Sequence, residues 1–335
     1  MIRPKLTFLF VGFLANFAFA QVSGGLPPLP TTTPSAGVVA TRPLAPMADK
    51  LVQETQVALN QKGFNAGPAD GFIGPQTQVA ISSAQRVLGL PVTGIPSESQ
   101  LTAFKGLPEL QDARLAYERK AYGTAFQISL RFAQSGNAIA QTNTAFAYFN
   151  GQGVAQNYSE ALHWYRLAAA QGNADAQAQI GFAYARGLGV VQNYVEAVKW
   201  FKLAAAQGDS SARANLGSAY ANGHGVAQDY AESVKWNKLA AAQGHAEAQV
   251  GLGFSYAQGL GISQDLGEAI KLFKLSAAQG NANGQANLGV SYEMGNGIPQ
   301  DFPEAAKWLK LAAAQGLTAA KARLDNLYKT GRVTK

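Results

Sequence analysis

The sequence predicts an all-α protein, an α/α superhelix built as a solenoid of 36-residue helix-turn-helix repeats and preceded by a small three-helix module. Three ladders predict it. Tryptophan recurs at Trp164, Trp200, Trp236 and Trp308, with Leu272 in the one gap. Tyrosine recurs at Tyr148, Tyr184, Tyr220, Tyr256, Tyr292 and Tyr328, and glycine at Gly136, Gly172, Gly208, Gly244, Gly280 and Gly316. Three ladders sharing one period mark a stacked array, in which each unit buries its apolar face only against its neighbours.

The chain has 335 residues, enough for two or three structural units. Residues 1–20 read as an export signal: Arg3 and Lys5 precede the apolar run Leu6 to Phe19, and Ala18-Phe19-Ala20 has the small-x-small pattern of a cleavage site. The run is short for a membrane span, which takes about 20 residues, so a spanning segment is not expected after cleavage; the alternative is an uncleaved anchor. The chain has no cysteine, which excludes disulfides and a lipoprotein anchor. Residues 21–47 form a Pro/Thr/Ser-rich stretch without apolar periodicity, expected to be a disordered linker.

Residues 48–106 carry the pattern of the three-helix module. Leu51, Thr55, Ala58 and Leu59 form a helical stripe that stops at Gly63. Gly74-Pro75 opens a second helix, with proline where its missing N–H costs nothing; Val79, Ala80, Ala84 and Val87 are its apolar positions. Leu90-Pro91-Val92-Thr93-Gly94 is a turn, and Ser97 is placed to cap a third helix carrying Leu101 and Phe104. Residues 107–120 read as a connecting helix, and residues 121–335 as the repeat array, whose first half-unit has Ile128 at the tryptophan position.

One unit shows the repeat's logic. Ala176, Ile180, Gly181 and Tyr184 give the first helix its buried stripe. Gly181 returns as Gly217, Gly253 and Gly289. A helical glycine costs up to about 1 kcal/mol against alanine, so its recurrence predicts a close helix crossing. The second helix opens on Asn193 with Glu196 three residues later, a capping box repeated at Asn157/Glu160, Asp229/Glu232, Asp265/Glu268 and Asp301/Glu304. Ala197, Trp200, Phe201, Ala204 and Ala205 are expected to pack inward, and Gly208 to end the helix in the left-handed conformation.

Two resemblances follow from these residues. Asp70-Gly71-Phe72-Ile73-Gly74-Pro75-Gln76-Thr77, with Leu59 to Phe64, Gln85 and Leu90 to Gly94 around it, resembles the peptidoglycan-binding domain appended to bacterial cell-wall enzymes. That family has an aromatic residue where this chain has Ala84, a departure that removes core volume. The resemblance implies peptidoglycan contact through Asp70, Gly71, Phe72, Gly74 and Thr77. Turn chemistry also accounts for the motif, since Asp-Gly makes a tight turn whether or not a ligand is near. The spelling Gly-x-Gly-Val, Asn/Asp-Tyr-x-Glu-Ala, Lys-Trp and Ala-Ala-x-Gln-Gly resembles the Sel-like repeat family, relatives of tetratricopeptide repeats. It implies antiparallel helix pairs with the first helices on the concave side, and a scaffold or adaptor role.

No reaction chemistry stands out. His163, His224 and His245 lack the close helical pairing of a metal site, and neither a metal nor a cofactor is expected. Gly223-His224-Gly225 lacks the following Lys-Ser/Thr of a phosphate loop. The repeated glutamates are accounted for by capping rather than as paired catalytic acids, so no catalytic residue is assigned and the chain is not expected to be an enzyme. Net charge is +7; the signal carries Arg3 and Lys5 and no acid, so 7 − 2 leaves +5 without it. With no basic run or motif, nucleic acid is not an expected partner. The lysines at 199, 235, 271 and 307, and those at 202, 238, 274 and 310, read as solvated, with the first set in reach of glutamates one turn earlier.

The first helices carry the more suggestive rows. Asn143, Gln179, Asn215 and Asn287 share one position, and Asn150, Arg186, Asn222 and Gln258 another, with Phe146, Phe182 and Phe254 between them. Amides interleaved with aromatics suit a peptide or sugar; the phenylalanines are also placed to pack between neighbouring units. Together these expectations describe a periplasmic or secreted, non-catalytic scaffold that attaches to peptidoglycan and docks an unidentified envelope protein. The alternatives are an activator or accessory subunit of a cell-wall hydrolase, and a secreted host-interaction factor.

Overall fold

The computed structural model describes residues 49–334; the export signal and the linker expected over 1–47 lie outside them. The described residues form sixteen helices and two compact units: residues up to 105 apart from 61–65, and residues from 106 onward together with 61–65.

The first unit is built on α1 (Lys50–Gln61), α2 (Pro75–Val87) and α3 (Glu98–Lys105). Its core takes Val52, Ala58 and Leu59 from α1, Ala80, Ile81 and Ala84 from α2, and Leu101 and Phe104 from α3. The stripe expected on α2 is rotated: Val79 and Val87 are exposed, while Thr77, Ile81 and Gln85 face inward. Polar Thr77 and Gln85 turn inward because each is hydrogen-bonded there, which an apolarity count does not register. Ala84, at the family's aromatic position, is completely buried. The Ser97 hydroxyl lies 3.1 Å from that of Ser99.

The second unit pairs helices in sequence. After α4 (Leu110–Glu118) and α5 (Tyr122–Gln134) come five regular pairs: α6 (Ala138–Asn150) with α7 (Tyr158–Ala170), α8 (Ala174–Arg186) with α9 (Tyr194–Ala206), α10 (Ser210–Asn222) with α11 (Tyr230–Ala242), α12 (Ala246–Gln258) with α13 (Leu266–Ala278), and α14 (Ala282–Met294) with α15 (Phe302–Ala314). Helix α16 (Thr318–Lys329) packs on α15. From α8 onward successive first helices also touch, α8 with α10, α10 with α12 and α12 with α14, whereas the second helices make no comparable contact with one another. Converging first helices and diverging second helices put the former on the concave side of the array.

The helix crossing is as close as the recurring glycine predicts. A Cβ on Gly181 or Gly253 would lie 2.7 Å from the ring of Phe201 or Phe273, and one on Gly289 would lie 2.9 Å from Leu309. The core rung is therefore Tyr165, Phe201, Asn237, Phe273 and Leu309, all buried. The tryptophans, expected to pack inward, precede this rung by one residue and are only half-buried. One residue is about 100° of helix rotation, enough to move a side chain from the crossing to its edge.

The caps hold in one direction. Asn157, Asn193, Asp229, Asp265 and Asp301 each accept from the backbone N–H three residues on. The reciprocal half of the box expected at these helices is replaced: Glu196, Glu232, Glu268 and Glu304 reach forward to Lys199, Lys235, Lys271 and Lys307 at 2.5, 3.0, 2.5 and 2.9 Å. Exposed pairs of this kind contribute only about 0–1 kcal/mol. A second set of bonds clasps each pair from within. Gln171, Gln207, Gln279 and Gln315 donate to Gln141, Gln177, Gln249 and Gln285 at 2.8–2.9 Å. Arg213 replaces the buried glutamine in the third pair, and Gln243 donates instead to the Gly208 carbonyl.

Candidate functional site

The N-terminal unit contains a cleft of about 300 Å³ lined by Gln56, Ala66, Gly67, Pro68, Asp70, Phe72, Gly74, Pro75, Gln76 and Thr77. Its wall is organised by the buried side chain of Gln56. Gln56 Oε1 accepts from the Gly71 N–H at 2.9 Å. Its Nε2 faces the Phe72 carbonyl at 2.9 Å, Asp70 Oδ1 at 3.0 Å and Thr77 Oγ1 at 3.1 Å. Gly71 takes φ of +79° to make the turn, and Asp70 Oδ1 also accepts from the Phe72 N–H at 3.0 Å.

The five residues expected to meet peptidoglycan divide into two groups. Gly71 and Thr77 are buried and engaged: the Gly71 N–H is held by Gln56, and the Thr77 hydroxyl donates to the Ala66 carbonyl at 2.8 Å. They build the wall. Asp70, Phe72 and Gly74 present accessible surface to the cleft, which ends at the N-terminus of α2. The Gln56 amide and then the Phe72 N–H hold the Asp70 carboxyl below its usual range, so it is an anion at neutral pH. An anion, a half-exposed aromatic face and a helix start in one small cleft suit a polar ligand with an apolar side, such as an amino sugar or its peptide stem. Gln56, the organiser, has no sequence signal of its own: its partners lie 14–21 residues away. Gln85 does the same work at the other turn, accepting from the N–H groups of Thr93 and Gly94.

On the concave side of the array, Phe146 and Asn150 are exposed, Gln179, Phe182, Arg186 and Asn215 are half-buried, and Asn222 is exposed. The Phe182 ring lies 6.2 Å from Phe149 of the preceding unit, and the Arg186 guanidinium lies 5.4 Å above it. Asn150 and Asn222 donate back to the Phe146 and Ser218 carbonyls. Each side chain is thereby tied to its own helix while remaining exposed. Phe254 and Gln258 are half-buried. The first amide row does not run the length of the array. It is interrupted by Gly251, and Asn287 is buried and donates to Asn283 within its own helix. The accessible amides are thus concentrated on α6, α8 and α10.

Two of the three histidines make structural contacts, and His163 is exposed on α7. His224 stacks on Tyr194 at 4.6 Å, and His245 caps α12, its Nδ1 accepting from the Ala248 N–H at 3.3 Å.

A family model of the Sel1 repeat matches five consecutive segments, 138–173, 174–209, 210–245, 246–281 and 282–317, more than half of the chain. The chain belongs to the Sel1 repeat family. A second model, for a peptidoglycan binding domain, matches residues 48–104 and so takes in the whole cleft. Among solved structures, a Sel1 repeat protein from Oxalobacter formigenes is 32% identical over 68% of this chain and 90% of its own, with a TM-score of 0.62. The protective antigen c5321 of uropathogenic Escherichia coli, which displays the same repeat fold, is 31% identical over 68% of this chain, with a TM-score of 0.56; the match spans 53% of that antigen. Among curated proteins, none matches. This Sel1 repeat chain therefore combines a peptidoglycan-binding module with a protein-interaction array, both of binding rather than catalytic type. Among the described residues no helix is long and apolar enough to cross a membrane.

Proposed function

We propose that this Sel1 repeat protein is an exported, non-catalytic scaffold. Its N-terminal module attaches to peptidoglycan through the cleft of Asp70, Phe72 and Gly74, with Gly71 and Thr77 as framework, and the concave first-helix face docks an envelope protein. The observation that carries the reading is the cleft: an anionic carboxylate and an aromatic face on a loop pinned by Gln56, inside a peptidoglycan-binding module. The array supplies the second half, since the accessible amides of Asn150, Asn215 and Asn222 stand on the same helix face as the exposed Phe146 ring, a mix of polar and aromatic surface that ligand faces have. Such a protein works in the periplasm or outside the cell, where peptidoglycan is found.

Co-sedimentation tests the attachment. The module, residues 48–106, and the array, residues 107–335, are each mixed with purified sacculi. The module should sediment and the array should remain in solution. Sedimentation of the array alone would move the wall contact out of the cleft. Crosslinking in cells then identifies the docked protein, and Asn215→Ala with Asn222→Ala should weaken that contact by more than about tenfold.

A further inference from the structure

The second helices carry a ladder that the fold does not use. Leu167, Leu203, Leu239, Leu275 and Leu311 recur at the 36-residue period, one per unit, and all are 39–55% exposed. The residue before each is Arg166, Lys202, Lys238, Lys274 or Lys310, also exposed, and the four lysines make no ion pair among the described residues. Three residues earlier stands the half-buried rung of Trp164, Trp200, Trp236, Leu272 and Trp308, one helical turn away on the same face. After its first-turn glutamate, none of α7, α9, α11, α13 or α15 carries an acidic residue.

Exposed cations on a helix have an ordinary explanation, because they keep its outer face solvated. Exposed leucines do not. A scattered surface leucine needs no explanation, but five in register beside five cations make a continuous chemical pattern. We infer that this outer face is a second docking surface, and that its partner is an acidic amphipathic helix of another protein. Charge complementarity selects the acidic partner: Lys202, Lys238, Lys274 and Lys310 have no ion-pair partner among the described residues, while the glutamate of the same helix lies two turns before the leucine and is taken by Lys199, Lys235, Lys271 or Lys307. Each leucine and the half-buried tryptophan or leucine three residues before it form an apolar strip about one helical turn long, which suits the stripe of an amphipathic helix. Because the second helices diverge, the leucines fan away from a common plane, which disfavours a flat lipid surface and suits a narrow partner bridging neighbouring rungs. The surface rests on none of the concave-face residues.

The test uses the full chain and a fluorescent synthetic helix of about three heptads, with leucines at heptad spacing and glutamates beside them. Binding is read by anisotropy at low and physiological salt. The acidic helix should bind saturably, and a peptide with lysine in place of every glutamate should not. Leu203→Ser with Leu239→Ser and Leu275→Ser should weaken binding at least tenfold. Lys202→Gln with Lys238→Gln and Lys274→Gln should weaken it severalfold and flatten its salt dependence. Every altered side chain is exposed, and unchanged circular dichroism checks that the variants fold. No binding, equal binding of both peptides, or indifference to the leucine variant would overturn the proposal. So would binding to phosphatidylglycerol vesicles without binding to the peptide.

Discussion

Replacing Gln56 by leucine keeps the volume of a fully buried side chain and removes all of its polar atoms. The Gly71 N–H loses its acceptor in a buried position, a loss worth about 1–3 kcal/mol. The amide's two hydrogens, shared among the Phe72 carbonyl, Asp70 Oδ1 and Thr77 Oγ1, also go; the part belonging to Phe72 and Thr77 adds about 1 kcal/mol. The expected loss is about 2–4 kcal/mol, concentrated in residues 66–77. Hydrogen exchange followed by mass spectrometry on the full chain reads it directly. Peptides covering this loop should exchange roughly 30- to 700-fold faster, while α6 to α15 should be unaffected. Asp70 should titrate closer to its ordinary 3.8, because the largest cause of its depression is the Gln56 amide. Unchanged protection at Gly71, or a loss spread evenly over both units, would refute the role given to Gln56.

Three further outcomes are expected. Phe201→Ala should cost about 3–5 kcal/mol in urea titration, and Trp200→Ala, being half-buried, only about 1–3; a larger cost at the tryptophan would restore it to the core rung. His245 should make the array sensitive to acid. Burial pushes its imidazole below the ordinary 6.5 against the opposing pull of Glu247 and Asp209, so its contribution is complete above about pH 6.5 and is lost as pH falls toward the lower folded value. His245→Asn, which matches the caps Asn173 and Asn281, should flatten melting temperature between about pH 7.5 and 5, and parallel curves for both proteins would exclude the effect. Asn237→Leu should stabilise the third unit by about 1 kcal/mol, since it replaces a buried amide whose partner Ser233 lies at 3.3 Å; destabilisation in denaturant would show that the polar rung is better satisfied than that distance implies.

The repeat architecture was legible because a period states recurrence directly, and the glycine at each crossing announced how closely the helices meet. The period did not say which of two adjacent recurring residues points inward. The Trp200 position repeats more strictly than the Phe201 position, which reads Tyr165, Asn237, Phe273 and Leu309 in the other units, yet the crossing geometry assigns Phe201 to the core. The capping box is half made: Asn193 caps its helix, and Glu196 pairs with Lys199 rather than reaching back. The cleft motif was visible as turn chemistry, but Gln56 reads in isolation as an ordinary helical glutamine, and its importance lies in bonds to residues on another loop. The leucine ladder was present in the sequence at the same 36-residue period. Hydrophobicity alone assigns such residues to the core, and exposure is a property of the packed array.

The most direct test of the central claim is nuclear magnetic resonance of the isotopically labelled module during titration with a soluble muropeptide. The account predicts saturable shifts at Gly67, Asp70, Phe72 and Gly74, which line the cleft. It also predicts smaller shifts at the framework residues Gly71 and Thr77, and none at the exposed Val79 and Val87 on α2. Shifts centred on Val79 and Val87, or a module that binds muropeptide without perturbing the cleft, would contradict it.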